Sequence, residues 1–80
     1  MPSIEIYTRP GCGYCTAAKN LLNSKFIDFV EYNTATDSKK LNTMLAQAPT
    51  KTFPQIVINR EWIGGFDDLL ARNLSTEPTS

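Results

Sequence analysis

The sequence has no histidine and only two cysteines in 80 residues. Without an imidazole it lacks the usual general base, and no carboxylate pair is spaced for hydrolysis, so hydrolytic chemistry is a poor fit. A structural zinc site takes four sulfur or nitrogen ligands, which two cysteines cannot supply within one chain. A small disulfide-stapled scaffold would carry four, six or eight cysteines. A bridge closing a four-residue loop would constrain the unfolded chain by no more than about 2 kcal/mol. Eight basic and eight acidic residues cancel, which argues against nucleic acid or an anionic membrane as the main partner. There is no basic run, no apolar stretch of about 18 residues and no signal-peptide pattern at Met1-Pro2-Ser3-Ile4. No P-loop or dinucleotide fingerprint is present. The expectation is a soluble, cytoplasmic, monomeric protein with one domain over residues 1–80. Its core spans about residues 3–74, with a polar, frayed tail at 75–80. A chain this short buries only about 60–65% of its unfolded surface.

What is present is concentrated in Thr8-Arg9-Pro10-Gly11-Cys12-Gly13-Tyr14-Cys15, which holds both cysteines with two residues between them. Ile4-Glu5-Ile6-Tyr7 before it alternates as a strand does, and Pro10-Gly11 turns the chain. Tyr14, Ala18, Leu21, Leu22 and Lys25 follow at helical spacing, four of them on one apolar face. Cys12 therefore falls at the helix start, among N–H groups with no intrahelical acceptor. Those groups and the helix dipole favour a thiolate there, and Arg9 adds positive charge. Cys15, one turn inside, is shielded and stays protonated. One sulfur is placed to attack and the other to resolve. A Cys-x-x-Cys at a strand–helix junction in an intracellular protein points to redox chemistry.

Strands are expected at about residues 3–8 and 26–32, with a helix from Cys12 or Gly13 to about Ser24 between them. Such a pair is parallel, with a right-handed crossover. Thr36 or Asp37 caps a second helix bearing Leu41, Met44, Leu45 and Ala48, and Pro49 stops it. Gln55-Ile56-Val57-Ile58 reads as a buried central strand. Asn59-Arg60 connects it as a hairpin to Glu61-Trp62-Ile63-Gly64, with a turn type left open because Arg stands where Gly is usual. Phe66 or Asp67 opens a third helix with Leu69, Leu70 and Leu74 apolar. Asp67 also qualifies as its N-cap. Trp62, Phe26, Phe29 and Tyr32 are expected to pack the core and strands. The order β-α-β-α-β-β-α describes an α/β, thioredoxin-like domain with a four-stranded mixed sheet and helices on both faces.

Three separated motifs then coincide: Tyr7-Thr8-Arg9 leading into Cys12-Gly13-Tyr14-Cys15, Thr52-Phe53-Pro54-Gln55-Ile56, and Gly64-Gly65-Phe66-Asp67-Asp68-Leu69. With these the chain resembles a dithiol glutaredoxin over about residues 3–74. The resemblance implies a glutathione-dependent thiol–disulfide oxidoreductase acting on protein–glutathione mixed disulfides and protein disulfides, those of ribonucleotide reductase among its candidates. It gives Cys12 the attacking role and Cys15 the resolving role. Pro54 matches the family's cis-proline, leaving the Phe53 backbone to pair with the cysteinyl part of glutathione. Gly65, Phe66 and Asp67 match the residues that take the γ-glutamyl end. Arg9, Lys51, Thr52 and Tyr14 complete the groove, Arg9 and Lys51 toward the glycyl carboxylate. Gly13 departs from the proline common at that position. A small residue there accompanies, in some members, a [2Fe–2S] cluster shared by two chains through Cys12 and two glutathiones. The alternatives are thus a cluster carrier and a redoxin recharged by thioredoxin reductase.

Overall fold

Isoleucines set the first layer. The structure, a computed structural model, describes residues 3–72; Leu74 and the tail expected at 75–80 lie outside them. Strand β1 (Ile4–Thr8) is followed by helix α1 (Gly13–Ser24), strand β2 (Val30–Asn33), helix α2 (Ser38–Gln47), strands β3 (Gln55–Ile58) and β4 (Glu61–Gly64), and helix α3 (Phe66–Ala71). The sheet runs β2-β1-β3-β4. β1 pairs parallel with β2 and antiparallel with β3, and β3 pairs antiparallel with β4. This is the thioredoxin-like mixed sheet expected from the element order.

Alternation along the strands separates two apolar clusters. Ile4, Ile6, Ile56 and Ile58 face Ala18 and Leu22 of α1 and Leu69 of α3. Tyr7 and Val57 face the other way, toward Met44 of α2, with Tyr32 and Trp62 packed alongside. Their rings tilt against Tyr7 at centroid distances of 5.0 and 4.8 Å. β3, interior to the sheet, is buried at all four positions, as its Ile-Val-Ile run implies.

Three expectations need correcting. β2 begins at Val30, four residues later than residue 26. The chain leaves α1 with Phe26 N–H donating to the Asn23 carbonyl and Ile27 N–H to the Leu22 carbonyl, the paired bonds of a Schellman closure. Phe26 takes the left-handed position of that closure (φ 56°), and its side chain is 87% exposed. It packs no core; Ile27 does, beside Leu22. Second, Asp67 does not cap α3. Gly65 is the N-cap, and its N–H donates to Asp68 Oδ2 at 3.0 Å. Third, several residues on apolar stripes face outward: Tyr14, Leu45 and Leu70 are exposed, and Cys15 takes the buried place on α1 that the stripe gave Tyr14.

Elsewhere the local chemistry matches. Asp37 caps α2, accepting from the Lys40 N–H at 3.1 Å. The hairpin turn has Asn59 at φ 51° and Arg60 at φ 71°, which makes it type I′ with arginine in the place glycine usually takes.

Candidate active site

β1 delivers the chain to the face where α1 starts. Gly11 turns at φ 73°, and Cys12 follows as the N-cap of α1 in an extended conformation. The Cys15 N–H donates to Cys12 Sγ at 3.2 Å. The sulfur of Cys12 therefore takes the place an oxygen takes in an ordinary cap, at the end of the helix that favours negative charge. Cys12 is half-buried and Cys15 is 2% exposed. Burial pushes the Cys15 thiol up to about 12, and its hydrogen bond with Cys12 adds to this while the Arg9 backbone opposes it. Cys15 thus stays a thiol at neutral pH, as its place inside the helix implied.

Two depressions flank this turn. One, of about 410 Å³, is lined by Tyr14, Thr50, Thr52, Phe53, Pro54, Gly65, Phe66, Asp67 and Asp68. Seven of the residues singled out from sequence meet there. The Phe53–Pro54 bond is cis, and Gly65 lies so near that a Cβ on it would touch the Pro54 carbonyl oxygen at 3.4 Å. The Tyr14 and Phe66 rings of that lining pack against each other, tilted, with centroids 5.9 Å apart. The other depression, of about 540 Å³, contains Arg9, Cys12, Cys15, Lys19 and Glu31. Arg9 links the two sides, its guanidinium 5.6 Å over the Phe53 ring. Lys51 is exposed and lines neither.

Sequence reasoning missed Thr50 and Asp68 in the groove. Asp68 had a signal, since an acidic residue three positions after Gly65 can close a capping box. Thr50 had none. The polar cluster in the second depression was also missed. Glu31 Oε2 accepts from Thr8 Oγ1 at 2.7 Å and from Lys19 Nζ at 3.1 Å, and the two bonds hold the Glu31 carboxyl below its usual range, Thr8 foremost.

The family model for glutaredoxin matches residues 4–63. The chain belongs to the glutaredoxin family. It is 42% identical over 71 residues to glutaredoxin 3 of Escherichia coli (strain K12), spanning 89% of this chain and 86% of that one. Glutaredoxin 1 of Francisella tularensis superposes with a TM-score of 0.73 at 38% identity, over 90% of this chain and 92% of that one. Buckwheat glutaredoxin, solved as a complex with glutathione, shares the fold at a TM-score of 0.79 and 20% identity, over 89% of this chain and 67% of that one. As a glutaredoxin with paired cysteines, the protein is a thiol–disulfide oxidoreductase. Among the described residues no group of three or more His, Cys, Asp or Glu could hold a metal ion, and no helix is long and apolar enough to cross a membrane.

Proposed function

We infer that this glutaredoxin works with glutathione, reducing protein–glutathione mixed disulfides and protein disulfides. The observation that carries the reading is the Cys12 sulfur on the tip of α1, hydrogen-bonded by the Cys15 N–H, with Tyr14 two residues on lining a groove walled by Thr52, Phe53, Pro54, Gly65, Phe66 and Asp67. The Cys12 thiolate attacks the glutathione sulfur of a mixed disulfide. The old S–S bond breaks as the new one forms, and the protein's thiolate leaves to take a proton. A second glutathione thiolate then attacks the bound glutathione sulfur, frees Cys12 and departs as glutathione disulfide. With a protein disulfide, Cys15 loses its proton and attacks the Cys12 sulfur, releasing the reduced protein and leaving a Cys12–Cys15 disulfide. Glutathione later reduces it. Exchange of this kind runs through the thiolate; burial keeps Cys15 a thiol at neutral pH while Cys12 stays accessible to the disulfide.

In the groove, the Phe53 backbone pairs with the cysteinyl part of the tripeptide, and Thr52 flanks it. Beside Gly65, the backbone N–H groups of Phe66 and Asp67 at the start of α3 serve the γ-glutamyl carboxylate, with the Asp67 side chain facing its amine. Arg9, already drawn over Phe53, and Lys51 serve the glycyl carboxylate. Tyr14, packed against Phe66, covers the edge of the groove nearest the sulfur. The groove's composition and the shared fold of a glutaredoxin crystallised with glutathione support this assignment.

A [2Fe–2S] cluster asks for four thiolates. With Cys15 buried, one chain offers Cys12 alone, so a cluster requires two chains and two further sulfurs from glutathione. The space beside Gly13, where no atom lies within 4 Å of an added Cβ, is compatible with that arrangement. Anaerobic incubation with iron, sulfide and glutathione reads it as a coloured dimer; a colourless monomer dismisses it.

The deciding experiment for the main reading compares two reductants on one glutathionylated protein. Turnover is expected with glutathione and glutathione reductase. Turnover with thioredoxin reductase alone, and none with glutathione, would overturn the reading.

A further inference from the structure

The segment 49–54 forms one wall of the groove, yet among the described residues it makes no backbone–backbone hydrogen bond. Its hydrogen bonds to the sheet run through the side chain of Gln55, while Phe53 also packs on the Tyr7, Met44 and Val57 cluster and under Arg9. Nε2 donates to the Thr52 carbonyl at 2.6 Å and to Thr50 Oγ1 at 3.0 Å, with Thr52 Oγ1 at 3.3 Å. The two threonine hydroxyls stand 3.1 Å apart. Gln55 is itself wholly buried, and its backbone is fixed in the sheet opposite Tyr7. The amide can face only one way, because an oxygen in place of Nε2 would oppose the Thr52 carbonyl oxygen.

That orientation leaves Gln55 Oε1 buried with no partner. A buried acceptor without a donor is destabilising. If folding alone were served, an apolar residue would suit this position, as at Ile56, Val57 and Ile58 beside it. The polar side chain is explained by what its N–H groups hold: the wall that carries Thr50, Thr52 and Phe53.

We propose that Gln55 is a positioning residue that fixes this wall from beneath and so sets how tightly the groove grips its ligand. It touches neither the reacting sulfur nor the ligand. The proposal rests on the glutathione reading for the identity of that ligand, a peptide thiol held along Thr52 and Phe53. Losing the tether lets the wall sample several geometries, and the ligand must then select one. The effect belongs in KM, since Cys12 is held by α1 and not by Gln55.

The test is Gln55→Met, which keeps the volume, removes both N–H donors and also removes the orphaned acceptor. The thermal midpoint should hold or rise. Backbone order parameters at Thr52 and Phe53, measured by NMR relaxation without ligand, should fall below those of the unaltered protein. KM for a glutathionylated peptide should rise by about tenfold while kcat stays within about twofold. Alkylation of Cys12 by iodoacetamide should keep its rate. An unchanged KM overturns the proposal, whatever the order parameters show. So does a fall in kcat and alkylation rate together, which would mean that the variant disturbs the cysteine turn instead. If the unaltered protein shows no turnover with glutathione, the functional reading fails by itself. Gln55 is then judged on backbone order, where unchanged order parameters at Thr52 and Phe53 sink it and lowered ones uphold it.

Discussion

The backbone N–H of Cys15 points at the sulfur of Cys12 across 3.2 Å. That one contact distinguishes two chemically identical side chains. Cys12 receives a hydrogen bond at an accessible helix tip, and Cys15 lies beneath it in the core. Replacing Cys12 with Ser should therefore reduce exchange on every disulfide to the uncatalysed background. Cys15→Ser should keep turnover of glutathione mixed disulfides within about tenfold of the parent and lose reduction of protein disulfides that need an internal partner. Coupled assays on one mixed disulfide and one protein disulfide check both. A Cys12→Ser variant that still turned over, with an inert Cys15→Ser, would reverse the roles.

The same burial makes a pH prediction with a definite sign. The Cys15 thiol moves from 9.0 up to about 12, with burial the largest cause. As pH rises past 9 the unfolded chain gives up this proton, while the folded chain holds it until about 12. Between those limits the folded state binds more protons, so stability is complete below 9 and falls as pH climbs. Tyr7, raised by burial, and Tyr32, raised by its bond to Glu5, add to the fall. Urea midpoints of the reduced protein should be flat near neutrality and decline above about pH 9. Cys15→Ala should decline less steeply, by up to about one proton's worth of slope. An identical slope in the variant would show that the thiol does not carry the effect.

Much of this was written plainly in the chain. Ile56-Val57-Ile58 read as a strand, buried on both faces if central, and α2 was bracketed by Thr36 or Asp37 at its start and Pro49 at its end; the structure chose Asp37. Cys12 and Cys15, three positions apart at a helix start, were bound to differ in access. The obscured parts share one cause: a residue type suited to two places was used in the less usual one. Phe26-Ile27 has the composition of a strand, yet the helix ending claims both residues for its closure. Tyr14 has the spacing of a core residue, yet at 65% exposure it lines the groove. Thr50 reaches the groove only through the turn that ends in the Phe53–Pro54 bond, which no local pattern announces.

Phe26 gives a stability test free of function. A bulky residue with left-handed backbone costs roughly 1–2 kcal/mol relative to glycine, and its exposed ring returns little burial. Phe26→Gly should stabilise the protein by about 0.5–1 kcal/mol once glycine's greater chain entropy is subtracted. Phe26→Ala keeps the Cβ and should change little. Chemical denaturation of the two variants decides. A destabilised glycine variant would show that the ring makes contacts that compensate for the backbone.

Gly13 offers the complementary case, a glycine with no conformational need to be one. It is the first residue of α1, nothing lies within 4 Å of an added Cβ, and Cys12 before it is extended at ψ 107°. An extended neighbour is what a proline requires of the residue before it. The N–H that proline would remove has no intrahelical acceptor at this position. Gly13→Pro should therefore stabilise the fold by about 0.5–1 kcal/mol, chiefly by restricting the unfolded chain, and Gly13→Ala by a similar amount. Both should leave the Cys15 N–H bond to Cys12 intact, because that bond spans Gly13 without involving its atoms. The denaturation midpoint measures the gain, and the iodoacetamide rate of Cys12 shows whether the cap survives. Loss of stability in both variants would mean that the cysteine turn depends on glycine's freedom in a way its open surroundings do not reveal.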